Sequence, residues 1–190
     1  MKRTKIAILT AQILTLCLGA FGCSGSASNP KVEIEMQDGG KIDLELDPKN
    51  APITVANFLS LVNSGFYDGL TFHRLVPGFV IQGGDPQGDG TGGSDKTIKG
   101  EFTANGVSNK IQHVRGVISM ARGQDNNSAS SQFFITVADD RQSLDGKYAA
   151  FGKVTSGMDV VDKIVAMPNS GPPNNMALQP PVIKSIKVIN

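Results

Sequence analysis

The sequence predicts a mostly β fold, a closed eight-stranded antiparallel barrel capped by two α-helices. Three observations predict it. About eight short runs of strand-like residues recur along the chain, each bounded by turn residues. Two segments carry the apolar spacing of a helix. The 22 glycines and 10 prolines among 190 residues punctuate the chain too often for long helices. Closing such a sheet on itself removes the exposed edges on which strands aggregate.

The elements follow in order. Val32-Glu33-Ile34-Glu35-Met36 and Lys41-Ile42-Asp43-Leu44-Glu45-Leu46 alternate apolar with charged or polar residues about Asp38-Gly39-Gly40. That is a β-hairpin with one wet face. Asn50 and Pro52 signal the start of a helix, and Gly65 signals its end. Val55, Phe58, Leu59 and Val62 fall on one face of it. Strand-like runs follow at 72–76, 79–82, 116–120, 133–137, 150–154 and 182–188. A second short helix is expected from near Ser156, carrying Val160, Val161 and Ile164. Residues 83–115 are rich in Gly, Asp and Asn and read mostly as loop.

The N-terminus has a different character. Residues 1–22 read as a signal peptide: Lys2, Arg3 and Lys5 precede an apolar stretch from Ile6 to Phe21. That stretch is shorter than the roughly 20 residues a spanning helix needs. Cys23 follows it directly, and the segment resembles a bacterial lipoprotein signal in which such a cysteine is lipidated. Ala20 and Phe21 depart from the usual residues of that signal. Residues 23–30 then read as a flexible tether, and 31–190 as the folded domain. The expected location is the bacterial cell envelope, with the domain exported and held to a membrane by its N-terminal lipid. Cys17 and Cys23 are the two cysteines of the sequence, so the folded body holds no disulfide.

Charge excludes one class of partner. The first 30 residues carry three bases and no acid, which leaves 15 basic against 17 acidic residues in the rest. A body with a net charge of −2 is not a nucleic-acid binder. No feature calls for an oligomer, so a monomer is expected.

Several motifs fail their own context tests. Gly88-Asp89-Gly90-Thr91-Gly92-Gly93 fits G-x-G-x-x-G but follows no convincing strand and opens no helix, so a dinucleotide site is not expected. Asp85, Asp89 and Asp95 lack the spacing of a calcium loop. His73 and His113 are the two histidines, too few for a zinc site without further close ligands. No G-x-S-x-G elbow marks a hydrolase. No cofactor or metal is expected.

Three longer stretches are informative: Phe72-His73-Arg74-Leu75-Val76-Pro77-Gly78-Phe79-Val80-Ile81-Gln82-Gly83-Gly84-Asp85; Ile118-Ser119-Met120-Ala121-Arg122 with Ser131-Gln132-Phe133-Phe134-Ile135; and Leu144-Asp145-Gly146-Lys147-Tyr148-Ala149-Ala150-Phe151-Gly152. In this order and at these separations they resemble the cyclophilin family of prolyl isomerases across residues 30–190. The resemblance implies an eight-stranded barrel with an active site on its outer face, acting on proline-containing polypeptides. It implies that Arg74 is the catalytic arginine and that Phe79, Met120, Phe134 and Leu144 line a proline pocket. It implies that Gln82 and the Ala121-Arg122 backbone bind peptide, with His73 and Tyr148 at the pocket edge. Three places depart from many members: Val80 replaces a Met, Ser143 replaces a Trp that helps bind cyclosporin, and Gly123-Gln124-Asp125-Asn126-Asn127 lacks a Pro. The competing reading is a proline-peptide-binding or chaperone module with little turnover; Val80 and Ser143 leave room for it, and the intact Arg74, Phe79 and Gln82 argue for the enzyme.

Overall fold

The computed structural model describes residues 28–189. The signal-peptide reading and Cys23 lie outside the described residues. Eight strands form one antiparallel sheet: β1 (Lys31–Met36), β2 (Lys41–Leu46), β3 (Thr71–Val76), β4 (Val80–Asp85), β5 (Val117–Met120), β6 (Phe133–Thr136), β7 (Ala150–Ser156) and β8 (Ile183–Ile189). Their order is β3-β4-β6-β5-β7-β2-β1-β8. The sheet curls until its two end strands meet, and there it is joined by a single bridge, Thr71 to Val182, rather than by a full ladder. The neighbouring amides of Gly69 and Phe72 donate to the carbonyls of Ile183 and Pro181, and that of Ile183 donates to Leu70.

The alternation read in the sequence becomes burial. Val32, Ile34 and Met36 of β1 and Ile42, Leu44 and Leu46 of β2 point into the barrel, while the residues between them stay partly exposed. They join Phe72, Leu75, Ile118, Phe133, Ile135 and Phe151 in one apolar core. The helix α1 (Pro52–Asn63) packs Val55, Phe58 and Val62 onto that core. The helix α3 (Met158–Val165) adds Val161 and Ile164. Phe58 sits among Tyr67, Phe133 and Phe151, its ring centroid 5.1–5.7 Å from theirs, inside the range where aromatic pairs attract.

Two features were not expected. A third helix of one turn, α2 (Arg141–Leu144), lies in the segment between β6 and β7. Its four residues are too few to show a helical period. The second feature is the cap of α1. Asn50 does not cap this helix, because its side chain turns back to Asp47. The buried Glu101 does so instead, from the long loop: its carboxylate accepts the amides of Ile53 and Thr54 at 3.0 and 2.7 Å and the Thr54 hydroxyl at 2.7 Å. A carboxylate at a helix N-terminus satisfies orphan amides and complements the helix dipole. Glu101→Gln replaces one acceptor by an amide that faces donors. It is expected to cost about 2 kcal/mol, the scale of a charge-assisted hydrogen bond. Urea unfolding checks this, with the activity of the folded fraction unchanged.

Candidate active site

Beside the main core lies a smaller apolar cluster of Val80, Phe134 and Leu144, with Val76, Phe79, Ala121 and Tyr148 packed around it. Strand periodicity places it on the outer face. In β4, Ile81 points inward, and Val80 and Gln82 point outward; in β6, Phe133 and Ile135 point inward and Phe134 outward. The outward residues line a surface hollow of about 220 Å³. Phe79, Val80, Phe134 and Leu144 give it apolar walls, Ala121 and Tyr148 close one side, and Arg74, Gln82 and Arg122 bring polar groups to it.

A β-bulge aims Arg74 into this hollow. In the β3–β4 ladder Phe72 pairs with Gly83 and Arg74 with Gln82, so two steps on β3 match one on β4. His73 is the extra residue. Without the bulge, Phe72 and Arg74 would share a face. With it, Phe72 enters the core and Arg74 turns outward, as bulges beside functional sites commonly re-aim a side chain. The turn joining the two strands is short. The Phe79 amide donates to the Val76 carbonyl at 3.0 Å, and Gly78 between them takes φ +74°, which a glycine adopts without strain.

Arg74 is then oriented by a chain of side-chain hydrogen bonds. Its Nη1 donates to Gln82 Oε1 at 3.2 Å, and Gln82 Nε2 donates to Gln132 Oε1 at 2.8 Å. Gln132 Nε2 in turn donates to the carbonyls of Gly90 and Gly92, at 3.1 and 2.7 Å. Each link runs from donor to acceptor in one direction, which fixes both amide orientations. Gln132 was not singled out from the sequence. It directly precedes β6, two residues from Phe134, and that even spacing was the available signal.

Arg122 also lines the hollow. Its guanidinium lies 5.0 Å from the Tyr148 ring centroid and 5.1 Å from that of Phe102, in the range of a cation–π contact. Its Nε donates to the Lys147 carbonyl at 3.0 Å. Among the described residues neither Arg74 nor Arg122 forms an ion pair.

Two expected site residues lie elsewhere. Met120 is 1 % exposed and belongs to the main core, because it follows Ser119 in β5 and so shares the inner face with Ile118. His73 is wholly buried at the bulge rather than at the pocket edge, and neither ring nitrogen has a hydrogen-bond partner. Burial pushes its pKa below the ordinary imidazole value, against the pull of Asp85. Its ring is therefore neutral near pH 7.

The discarded motifs have structural explanations. The glycine-rich loop after β4 is shaped by the buried Asp85, which accepts the amides of Gln87 and Gly90. A Cβ at Gly92 would collide with that carboxylate. Among the described residues no three His, Cys, Asp or Glu side chains come together as a candidate metal site. Ser119, His113 and Asp145 do form a hydrogen-bonded line, but Ser119 is wholly buried and offers no nucleophile to a substrate.

Comparison with known proteins agrees with this geometry. Residues 31–188 match the family model "Cyclophilin type peptidyl-prolyl cis-trans isomerase/CLD". The chain is 42 % identical over 192 residues to peptidyl-prolyl cis-trans isomerase A of Dickeya dadantii, with 96 % of this chain and 97 % of the relative covered. It is 53 % identical over 125 residues to peptidyl-prolyl cis-trans isomerase B of Bacillus subtilis, covering 65 % of this chain and 82 % of the relative. A crystal structure of a cyclophilin type peptidyl-prolyl cis-trans isomerase from Cryptosporidium parvum superposes with a TM-score of 0.76 at 31 % identity, over 85 % of this chain and 98 % of that one. The same parasite protein, solved in the presence of the dipeptide Ala-Pro, gives a TM-score of 0.75 at 32 % identity, over 84 % of this chain and 99 % of that one. The barrel, the outer-face hollow with its arginine, and these matches along nearly the whole folded body make this chain a member of the cyclophilin-type peptidyl-prolyl cis–trans isomerases.

Proposed function

We propose that Arg74 accelerates rotation about X–Pro bonds of polypeptides by donating to the proline nitrogen while the apolar hollow holds the proline ring. Resonance gives the amide C–N bond partial double-bond character and a barrier of about 18–20 kcal/mol. No covalent bond breaks during rotation. What changes is the nitrogen, which regains a lone pair as the amide twists. A guanidinium remains charged and carries donors but no acceptor. Its hydrogen bond to that lone pair is weak in the planar ground state and strong in the twisted one, which is selective binding of the transition state.

The observation that carries this reading is the Arg74–Gln82–Gln132 chain at the rim of an apolar hollow. Among the described residues it holds a cation with no ion-pair partner, at the place where this reading puts the proline nitrogen. Gln82 and the Ala121-Arg122 segment offer polar groups to the flanking peptide. The Cryptosporidium relative was solved in the presence of the dipeptide Ala-Pro, which contains an X–Pro bond of the kind this reading has the enzyme act on. Following the cis-to-trans relaxation of a short Ala-Pro peptide with the purified protein tests the assignment. Catalysed relaxation that Arg74→Ala removes supports it. A folded protein that binds the peptide without accelerating it would leave only a peptide-binding module.

The N-terminal sequence supports a second part of the proposal. The enzyme is exported and held at a bacterial membrane by lipid on Cys23, where its clients are exported or envelope proteins. Six residues from Ser24 to Asn29 reach about 20 Å at ~3.3–3.6 Å per residue, which keeps a tethered domain near the bilayer. Intact-mass analysis of the native protein is expected to show a mature chain that begins at an acylated Cys23. An unacylated chain starting beyond Cys23 would remove the anchor.

A further inference from the structure

His113 does not line the hollow, yet it stacks on one of its walls and is hydrogen-bonded to the segment that carries another. One wall is Phe134 on β6. The other is the segment 144–148, whose Leu144 and Tyr148 flank the hollow. The His113 ring is 1 % exposed and stacks on Phe134, with centroids 6.1 Å apart and planes 23° apart. Its Nδ1 lies 2.8 Å from Asp145 Oδ1, and the same oxygen accepts the His113 backbone amide at 2.8 Å. The His113 carbonyl accepts the Asp140 amide at 2.9 Å, just before the one-turn helix that ends at Leu144. Its Nε2 lies 3.0 Å from Ser119 Oγ, and Ser119 is the cross-strand partner of Phe134.

The donors and acceptors fix one tautomer. An ionised carboxylate only accepts, so Nδ1 carries the proton, and Nε2 accepts from the Ser119 hydroxyl. Burial pushes the imidazole pKa below its ordinary value, with Asp145 pulling the other way, and the ring is neutral near pH 7. Every polar atom of the ring is thereby satisfied in the interior.

We propose that His113 and Asp145 are a positioning pair for the proline pocket, clamping the Phe134 wall and the Leu144–Tyr148 wall at a fixed separation. This rests on the assignment of that hollow as the proline site. Segment 144–148 belongs to the connection between β6 and β7 and has no strand partner. Besides the clamp it is held by Arg122 Nε on the Lys147 carbonyl, by the Ala104 amide on the Gly146 carbonyl and by the Tyr148 ring against Phe134. The clamp adds the buried polar link behind Phe134. Loosening it widens the hollow without touching Arg74. The proline ring then loses wall contacts in ground state and transition state alike. Uniform loss of binding raises KM and leaves kcat nearly unchanged.

The test is a double-mutant cycle on the full protein, read by kinetics on an Ala-Pro tetrapeptide and by calorimetric titration of the same peptide. Asp145→Ala removes the acceptor at a partly exposed side chain. His113→Phe keeps an aromatic ring against Phe134 and removes both ring hydrogen bonds. Each is expected to raise KM and Kd by about tenfold with kcat within about twofold, which is about 1.4 kcal/mol of lost binding. The double variant is expected to be no worse than the worse single one, because both break one connection. His113→Asn, whose amide reaches the Nδ1 position, is expected to recover part of the affinity. Lowered thermal stability with unchanged KM and Kd would show a merely structural histidine and overturn the proposal, as would additive losses. The titration reads binding without turnover. A failure of the isomerase assignment would abolish catalysis in the wild type, whereas a failure of the clamp would leave affinity equal across the variants.

Discussion

Replacing Arg74 by alanine is expected to lower kcat/KM on an X–Pro peptide by at least about 100-fold while the barrel stays folded. A factor of 100 is about 2.7 kcal/mol at 1.36 kcal/mol per decade. One charge-assisted hydrogen bond supplies about 1.5–3 kcal/mol, so a single lost donor accounts for it. The loss should fall on kcat, because the bond forms fully only as the proline nitrogen localises its lone pair. Stability should change little. Arg74 makes no ion pair among the described residues, and its side-chain bond to Gln82 is at a partly exposed site. Surface changes of this kind are usually within about 0.5 kcal/mol. Arg74→Lys should recover little, since an ammonium on a flexible stem does not reproduce the fork that Gln82 orients. Activity within threefold of wild type, with matching circular dichroism, would remove Arg74 from the mechanism.

The hydrogen-bond chain behind Arg74 shows which parts of the site were legible. Strand alternation and the β-hairpin signals were local, so β1, β2 and the apolar face of α1 could be read within a few residues. The long motifs identified Arg74, Phe79, Gln82, Phe134, Leu144 and Tyr148, and the fold brings all six to one hollow. Met120 and His73 were misplaced for reasons of parity. Met120 is adjacent in sequence to Ala121 at the hollow, but adjacent residues of a strand face opposite ways. His73 directly precedes Arg74, and the bulge that turns Arg74 outward leaves His73 buried. A bulge is set by the pairing of two strands and leaves no mark in one of them. Distance in sequence hid the rest. Glu101 caps a helix that starts 49 residues earlier, and Asp145 reaches His113 across 32 residues. Neither contact has a period or a motif to announce it.

Phe134→Ala should be the most damaging change to the pocket, and it should act on binding where Arg74→Ala acts on turnover. Phe134 is buried between Val80 and Leu144, meets the Tyr148 ring edge-on at 5.7 Å and stacks on His113. Truncation therefore removes one wall of the hollow and the support of a second. Loss of a buried Phe side chain costs about 3–5 kcal/mol in stability, and the lower end fits a small cluster near the surface. The same gap deprives a bound proline ring of its largest apolar contact. An expected rise in KM of about 100-fold corresponds to about 2.7 kcal/mol of lost binding. The two effects separate by temperature. At about 10 °C a domain that retains even 2 kcal/mol of stability is almost entirely folded, so a rise in KM there belongs to the pocket. Phe134→Leu fills most of the volume without the flat face and should fall between the two. An unchanged KM for Phe134→Ala in the folded protein would mean that proline does not enter this hollow. It would also detach Arg74 from the proline nitrogen, since the guanidinium has its role only if the ring lies against Phe134.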